Sequence, residues 1–167
     1  MLSLKRLPYM EVDYLFQIGD NIVYPTHGAG IIKAIEDKEV LGKIQQYYII
    51  NMTNSGMEIM IPTDKIFKLK FRAVTELVAI NSLIQIFQFG ESDNTLVWKQ
   101  RYKLNTEKIN TGKIQEGAEV VRDLLRLKQE KALNESERKM LGQAQGFLLS
   151  ELALVEGITE QQMAIFG

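Results

Sequence analysis

The pattern of apolar residues changes near Arg72, and this change constrains the fold more than any other feature of the chain. Residues 16–72 hold short β-branched and aromatic runs separated by glycine, asparagine and aspartate, which is typical of strands joined by tight turns. After Arg72, apolar residues recur at spacings of three and four positions, as they do in amphipathic helices. The sequence therefore predicts an α+β protein of two domains, with the β domain first.

The β domain is predicted to be a small barrel. Four or five strands fit within it, because residues 22–24, 30–32, 46–50 and 58–62 form short β-branched or aromatic runs. Strands this short, at near-regular intervals, are typical of an SH3-like or Tudor-like barrel. Such a barrel leaves strand edges that a strand of another protein can join.

The second half of the chain predicts an all-α helical bundle. After a first helical stretch, helices are expected over residues 96–109, 114–131 and 134–157, the last ended by Gly157. Apolar residues at helical spacing form the expected buried stripe of the last of these helices. The stripe consists of Met140, Leu141, Ala144, Leu148 and Leu152.

Two capping boxes are expected in the same region. Asn134 precedes Glu137 by three positions, and Thr159 precedes Gln162 by three. In such a box the first side chain accepts a hydrogen bond from the backbone N–H three residues later, and the later side chain returns one. Each pair therefore predicts the start of a helix.

The single histidine and the absence of cysteine exclude several kinds of chemistry. Disulfides, thiolate metal sites and cysteine nucleophiles need cysteine, and His27 alone gives little support to a histidine metal centre or a Ser/His triad. The glycine-rich turn around His27 lacks the Gly-Lys-Ser/Thr of a phosphate-binding loop, so we interpret it as a structural turn. We expect no enzymatic activity, no cofactor and no bound metal.

The expected location is the cytoplasm. No apolar run approaches the roughly 20 residues that a membrane-spanning helix needs, so no membrane association is expected. A chain without cysteine fits a reducing compartment. Residues 1–15 are interpreted as an N-terminal extension, because Pro8 and two acids, Glu11 and Asp13, make them a poor signal peptide.

A cationic and aromatic cluster begins at Trp98, the only tryptophan of the chain. Residues 98–131 hold nine lysines and arginines against five acids, although the whole chain has a net charge of −1. On a helix, Arg101 and Tyr102 lie one turn after Trp98, so aromatic and cationic groups share a face. Cations neutralise phosphates and a flat side chain can wedge between base steps, which favours nucleic acid as a partner. From the pattern alone, core positions for both aromatic residues fit equally well.

Two groups of residues resemble a known family. Residues 16–30, FQIGDNIVYPTHGAG, are similar to the opening motif of CarD/CdnL proteins and to the polymerase-interacting module of transcription-repair coupling factors. Residues 98–102, 119–124 and 137–141, which read WKQRY, EVVRDL and ERKML, are similar to the helical domain of CarD/CdnL proteins. Coupling factors carry a helicase motor instead. The resemblance spans residues 16–156.

This resemblance implies a transcription regulator without catalysis. A Tudor-like domain, residues 16–72, would bind the β subunit of RNA polymerase, and a helical domain, residues 73–167, would contact promoter DNA at the upstream edge of the bubble. The DNA contact would lie in the minor groove, depend little on sequence and stabilise the open complex. The protein is expected to be a monomer.

The resemblance also assigns residues to each contact. The polymerase-binding residues would be Lys38, Glu58, Ile59, Met60, Ile61 and Pro62. The DNA-binding residues would be Trp98, Lys99, Arg101, Tyr102, Lys103 and Arg138. Met60 and Gln100 stand where members of the family often have cations, so the electrostatic part of each contact is expected to be weaker here.

Two alternative functions predict other surroundings for Trp98 and for His27. A polymerase-binding adaptor, whose helical domain recruits another protein and leaves DNA alone, would bury Trp98 in its core. A small-ligand module built on the barrel loops would place a polar pocket around His27.

Overall fold

The computed structural model describes residues 16–167, so the extension expected over residues 1–15 lies outside the described part. An antiparallel sheet comes first and helices follow. Its strands are β1 (Asn21–Tyr24), β2 (Gly28–Val40), β3 (Lys43–Met52), β4 (Glu58–Pro62) and β5 (Arg72–Ala73). Their order in the sheet is β4-β3-β2-β1-β5. The predicted α+β architecture, with sheet before helices, is confirmed.

Strands β2 and β3 form a hairpin much longer than the predicted runs at residues 30–32 and 46–50. The two strands are joined by Leu41 and Gly42, whose φ angles of 53° and 75° are those of a two-residue hairpin turn with two left-handed residues. The outer part of the hairpin is exposed on both faces. The alternation of apolar and polar residues that reveals a strand is therefore weak there.

The sheet is open. Within residues 16–167, β4 pairs with β3 alone, and β5 pairs with β1 alone through Ile22↔Ala73 and Val23↔Arg72. These two strands form opposite edges of the sheet and do not pair with each other. The closed Tudor-like barrel predicted from the sequence is not confirmed.

One face of the sheet packs a core of its own, together with the loop between β4 and β5. Tyr48 Oη accepts a hydrogen bond from the backbone N–H of Phe16 at 3.3 Å, which ties the first described residue to the centre of β3. Burial of this apolar surface stabilises the sheet. The buried members are Phe16, Ile22, Ile32, Tyr48, Ile50, Met52, Ile61, Ile66 and Phe71.

The helices of the described part follow a 3₁₀ turn at Leu77–Ala79, and another 3₁₀ turn, Thr63–Lys65, lies between β4 and β5. They are α1 (Ile80–Phe89), α2 (Trp98–Asn110), α3 (Ile114–Glu130), α4 (Glu135–Leu152) and α5 (Glu160–Ile165). Helices α2 and α3 match the predicted helices closely, with Gly112 between them at a φ of 68°. None of these helices is long and apolar enough to cross a membrane.

Helices α3 and α4 contribute equally to the buried helical core, and the stripe predicted for α4 is buried. Helix α3 packs against α4, and α1 packs against α3, with apolar faces of the same periodicity. Besides the stripe, the buried members of this core are Ile80, Leu83, Ile114, Ala118, Val120, Val121, Leu124, Leu133, Val155 and Phe166.

Helix α4 ends at Leu152, five residues before the predicted end at Gly157. The backbone N–H groups of Leu154 and Val155 donate to carbonyls three residues earlier, at 3.0 and 3.1 Å, so the chain tightens and leaves the α-helix. Gly157, with a φ of 86°, lies at the end of these turns. The predicted end was wrong because the tightening has no marker residue in the sequence.

The two predicted capping boxes differ. Thr159 and Gln162 form the box as expected, with hydrogen bonds of 3.1 and 2.9 Å. Asn134 caps α4 by accepting from the backbone N–H of Glu137 at 2.8 Å, but no bond returns from the Glu137 side chain to the Asn134 N–H. The Glu137 carboxylate pairs with Arg101 of α2 instead.

Candidate functional site

Trp98 lies on the surface at the first residue of α2, with 43% of the residue exposed. Tyr102 lies one turn later and meets it edge to face, with ring centroids 6.4 Å apart and an interplanar angle of 70°. Val97, just before the helix, is exposed as well. The expectation that a core buries Trp98 is therefore wrong, and an apolar aromatic patch faces outward.

Exposed cations accompany this patch. Lys99 and Lys103 each follow one of the two aromatic residues, and neither forms an ion pair in the described part of the chain. Arg138, in the first turn of α4, is exposed and likewise unpaired among residues 16–167. Lysine and arginine side chains in this state can neutralise phosphates. Their assignment to DNA stays a prediction.

Arg101 differs from its predicted neighbours in the site. Its Nε and Nη2 atoms donate to the two carboxylate oxygens of Glu137 at 2.6 and 2.7 Å, and Nη1 donates to the carbonyl of Leu96 at 3.2 Å. The hydrogen bond to Glu137 raises the pKa of Arg101. Only 16% of the Arg101 side chain and 2% of the Glu137 side chain are exposed. The expectation of a free Arg101 cation for phosphate is therefore revised, because its charge is already neutralised.

Other cations of the stretch 98–131 are also used within the protein. Arg122 is buried and donates to the carbonyls of Ile86 and Glu91, both at 2.9 Å, near the end of α1. Lys108 of α2 pairs with Glu119 of α3 at 2.7 Å. The basic surface is consequently smaller than the count of cations in the sequence suggested.

The predicted polymerase-binding strand, β4, is an edge strand. Its register with β3 runs from Tyr47↔Pro62 to Asn51↔Glu58, and no strand of the described part pairs with its other side. Ile61 is buried and Ile59 is partly buried, so the two isoleucines face the core. Backbone groups on the outer side of such an edge are free to pair with a strand of another protein.

Side chains along β4 offer little positive charge. Met60 is 43% exposed, and Glu58 pairs with Lys33 at 2.9 Å. Lys38, the predicted cation of this contact, lies on the β2–β3 hairpin opposite Gln45, beyond the part of β3 that β4 covers. It is exposed and pairs with a neighbouring acid of its own strand, Glu36, at 3.0 Å. The structure therefore does not bring Lys38 next to β4.

A second arginine–glutamate pair joins the sheet to the helices. Arg72 of β5 donates from Nη1 and Nη2 to the carboxylate oxygens of Glu151 in α4 at 2.7 and 2.6 Å. The backbone N–H of Thr75 donates to the same carboxylate at 2.9 Å, and Arg72 Nε donates to the Gly112 carbonyl at 2.8 Å. A Cβ on Gly112 would lie 2.8 Å from Pro25 Cβ. This junction fastens β5 to α4 and to the turn between α2 and α3.

Sequence reasoning missed the burial of Glu137 and Glu151. Glu137 was interpreted as a cap and as part of the motif at residues 137–141, and Glu151 received no role. Both acids lie at positions that continue the apolar stripe of α4, three residues before Met140 and three after Leu148. An acid within a buried stripe needs a cation or several donors, and this is the signal that could have found both pairs.

His27 belongs to a structural turn, as predicted. Its ring stacks on Tyr24 with centroids 4.0 Å apart, and its Nδ1 lies 3.0 Å from the Pro25 carbonyl oxygen. The small crevice beside this turn is mainly apolar, and His27 is not among its lining residues. Among residues 16–167, no cluster of histidine, aspartate and glutamate could hold a metal ion.

Comparison with known proteins places both halves of the chain. Residues 16–74 match the family model described as CarD-like/TRCF RID domain, and residues 82–166 match the model described as CarD, C-terminal domain. The candidate transcription factor YdeB of Bacillus subtilis (strain 168) is 63% identical over 153 residues, which cover 92% of this chain and 100% of YdeB. The solution NMR structure of the 72-residue N-terminal domain of Myxococcus xanthus CarD matches 35% of this chain and 77% of that domain, at 29% identity and a TM-score of 0.30.

Proposed function

The chain belongs to the CarD family of transcription factors, and from that premise we propose that it binds the β subunit of RNA polymerase and promoter DNA at the same time. The sheet is the proposed polymerase-binding part, and the helices are the proposed DNA-binding part. The proposed outcome is a longer-lived open complex. We propose that the protein acts in the cytoplasm, as a monomer and without catalysis.

The observation that carries the DNA contact is the exposure of Trp98. Trp98 is 43% exposed at the start of a helix, next to Tyr102 and two unpaired lysines. Insertion of its indole between two base pairs would remove this apolar surface from water, which is favourable. Lys99 and Lys103 would meet the flanking phosphates. We propose that Trp98 wedges into the minor groove at the upstream edge of the bubble, where unstacking costs least.

The polymerase contact rests on the free edge of β4 and on the family model for residues 16–74. We propose that a strand of the β subunit pairs with β4, so that backbone hydrogen bonds carry the contact and Met60 adds apolar surface. Glu58 is neutralised by Lys33, so it opposes an acidic partner only weakly. Lys38 would act from the hairpin, at a distance from β4.

Two weak contacts can act together through effective concentration. Binding to polymerase holds the aromatic patch near the promoter, so a DNA contact that is weak in isolation becomes significant there. If the patch binds the melted junction better than closed duplex, binding shifts the population toward the open complex. Affinity for naked promoter DNA is expected to be low.

The test compares Trp98→Ala with the native chain in two assays. One assay measures affinity for the isolated β-lobe of the polymerase, and the other measures the lifetime of polymerase–promoter open complexes after a competitor is added. The variant is expected to retain β-lobe affinity and to shorten the open-complex lifetime about tenfold, which corresponds to about 1.4 kcal/mol.

Phe89→Ala is the matched control, because Phe89 is also an exposed aromatic residue but lies at the end of α1. It is expected to change neither assay. Unchanged open-complex lifetime with Trp98→Ala would contradict the DNA wedge. In that case the exposed aromatic patch is better explained as a surface that binds another protein.

A further inference from the structure

We propose that Arg101 and Glu137 position Trp98 for DNA and that Arg101 does not bind phosphate. This inference rests on the function proposed above, because it assigns a role to residues beside the Trp98 wedge. Arg101 lies one turn after Trp98 on α2, and Glu137 lies in the first turn of α4. We call these two residues the α2–α4 pair.

The guanidinium of Arg101 joins two segments that have no covalent connection nearby. Its Nε and Nη2 atoms hold the Glu137 carboxylate, and its Nη1 atom holds the carbonyl of Leu96, two residues before Trp98. Every nitrogen of the guanidinium is therefore used inside the protein. The two N–H groups left over, one on each Nη atom, would meet a phosphate only beside the Glu137 carboxylate, which repels it.

The start of α2 needs this support. The N-cap residue, Val97, has no side chain that can accept a hydrogen bond from the first turn, and none is formed. Uncapped first turns leave backbone N–H groups without partners and tend to fray. Trp98 is the first residue of that turn, so its direction depends on what holds the turn. The Arg101 side chain restrains this turn instead, through its bonds to the Leu96 carbonyl and the Glu137 carboxylate.

Glu137 is a rigid anchor for Arg101. Only 1% of the residue is exposed, and Asn134 Nδ2 donates to Glu137 Oε1 at 3.0 Å. The carboxylate also lies at the positive end of the α4 dipole. It is therefore fixed by two side chains and favoured by the helix. Arginine suits this place better than lysine, since its planar fork matches a carboxylate with two hydrogen bonds.

The phosphate role and the positioning role predict opposite effects of one substitution. If Arg101 bound phosphate, Glu137→Gln would remove a competing negative charge and strengthen DNA binding. If the pair positions Trp98, the same substitution weakens the hold on α2 and reduces DNA binding. Salt dependence separates the roles again, because each phosphate contact contributes about 0.9 to the slope of log affinity against log salt.

Trp98 is itself the probe, because it is the only tryptophan of the chain. Time-resolved fluorescence anisotropy of the free full-length protein measures motion of the indole without DNA. Affinity for a duplex with an unpaired bubble is then measured over a range of salt concentrations. The variants are Arg101→Gln, Glu137→Gln and Arg101→Lys, with Lys99→Gln and Lys103→Gln as controls that also remove one cation from α2.

Arg101→Gln and Glu137→Gln are expected to increase the fast motion of the indole and to lower bubble affinity about tenfold, with the salt slope unchanged. Arg101→Lys is expected to restore part of the loss. The lysine controls are expected to leave the anisotropy unchanged and to reduce the salt slope by about 0.9 each. Circular dichroism and thermal unfolding verify that each variant is folded.

The positioning role is overturned if Arg101→Gln reduces the slope by about 0.9 while the anisotropy stays unchanged, or if Glu137→Gln binds the bubble more tightly. If Glu137→Gln does not fold, Asn134→Ala replaces it, because this change keeps the carboxylate and removes one bond to it together with the N-cap of α4. If even Trp98→Ala leaves bubble affinity unchanged, the proposed DNA contact fails. The anisotropy of the free protein still decides whether the pair restrains Trp98.

Discussion

Two arginine–glutamate pairs hold opposite ends of helix α4, and they differ in what supports the carboxylate. At the start of the helix, the α2–α4 pair links two helices. Near its end, Arg72 and Glu151, which we call the junction pair, link the sheet to the helices. Both carboxylates are almost fully buried, with 2% of the Glu137 side chain and 4% of the Glu151 side chain exposed.

The helix dipole favours one pair and opposes the other. Glu137 lies where the partial charge of the helix is positive, and Glu151 lies one residue before the last, where it is negative. Without its arginine, each carboxylate keeps one hydrogen bond, from Asn134 Nδ2 to Glu137 and from the Thr75 N–H to Glu151, so the dipole makes the difference. The junction pair therefore depends more strongly on its arginine. The two pairs also have different tasks: one orients the aromatic patch, and the other sets the sheet against the helices.

The largest expected loss of stability results from removing Arg72. Arg72→Met leaves a buried carboxylate without its cation at the unfavourable end of the helix, so the free energy of unfolding is expected to fall by about 3–5 kcal/mol. Arg101→Met is expected to cost about 1 kcal/mol less, because the helix dipole still favours Glu137. Urea denaturation of both variants measures the difference.

The double variant Arg72→Met/Glu151→Met is the control for this comparison. Removing both charges replaces the ion pair by apolar side chains, so much of the lost stability is expected to return. A larger loss for Arg101→Met than for Arg72→Met would contradict the argument from the helix dipole.

A smaller loss of stability is expected from a substitution at Gly112, where the junction depends on close packing against Pro25. Gly112→Ala places a Cβ 2.8 Å from Pro25 Cβ at a φ of 68°, so backbone strain and contact are expected to cost about 1–3 kcal/mol. Gly142→Ala is the matched control, since this helical glycine has open space around its Cβ position. The control is expected to gain about 0.5–1 kcal/mol, also measured by urea denaturation. Equal values for both variants would show that the junction tolerates a side chain at Gly112.

The smallest expected effect concerns the caps. Asn134→Ala removes the N-cap of α4 and one donor to Glu137, so a loss of about 1 kcal/mol is expected from the thermal unfolding curve. Thr159→Ala removes the cap of the short helix α5, where no ion pair is involved. Its expected loss is smaller. If Thr159→Ala costs more, Asn134 contributes little to the α2–α4 pair.

Much of the fold could be predicted because it depends on local pattern. Residues close in sequence determine three features: the order of sheet and helices, the buried positions of the α4 stripe and the cap at Thr159. The open sheet could not be predicted in this way, because closure depends on whether the first and last strands meet. The end of α4 at Leu152 also escaped prediction, since Gly157 was the only visible stop signal.

The candidate site was predictable in part. The sequence identified Trp98 as unusual, but its pattern fitted a core position as well as a surface position. It ranked Arg101 with Lys99 and Lys103 as an equal cation, although the structure separates them. The difference lies in neighbours from α4, which no spacing within α2 encodes.

The sequence by itself determined the type, order and apolar faces of most elements, because hydrogen bonding within a helix and burial of one face are set by residues a few positions apart. Only the tertiary structure decided which charges remain free. Arg101 meets an acid 36 residues away and Arg72 one 79 residues away. Whether a cation is neutralised depends on which elements pack together, and local periodicity carries no information about that choice.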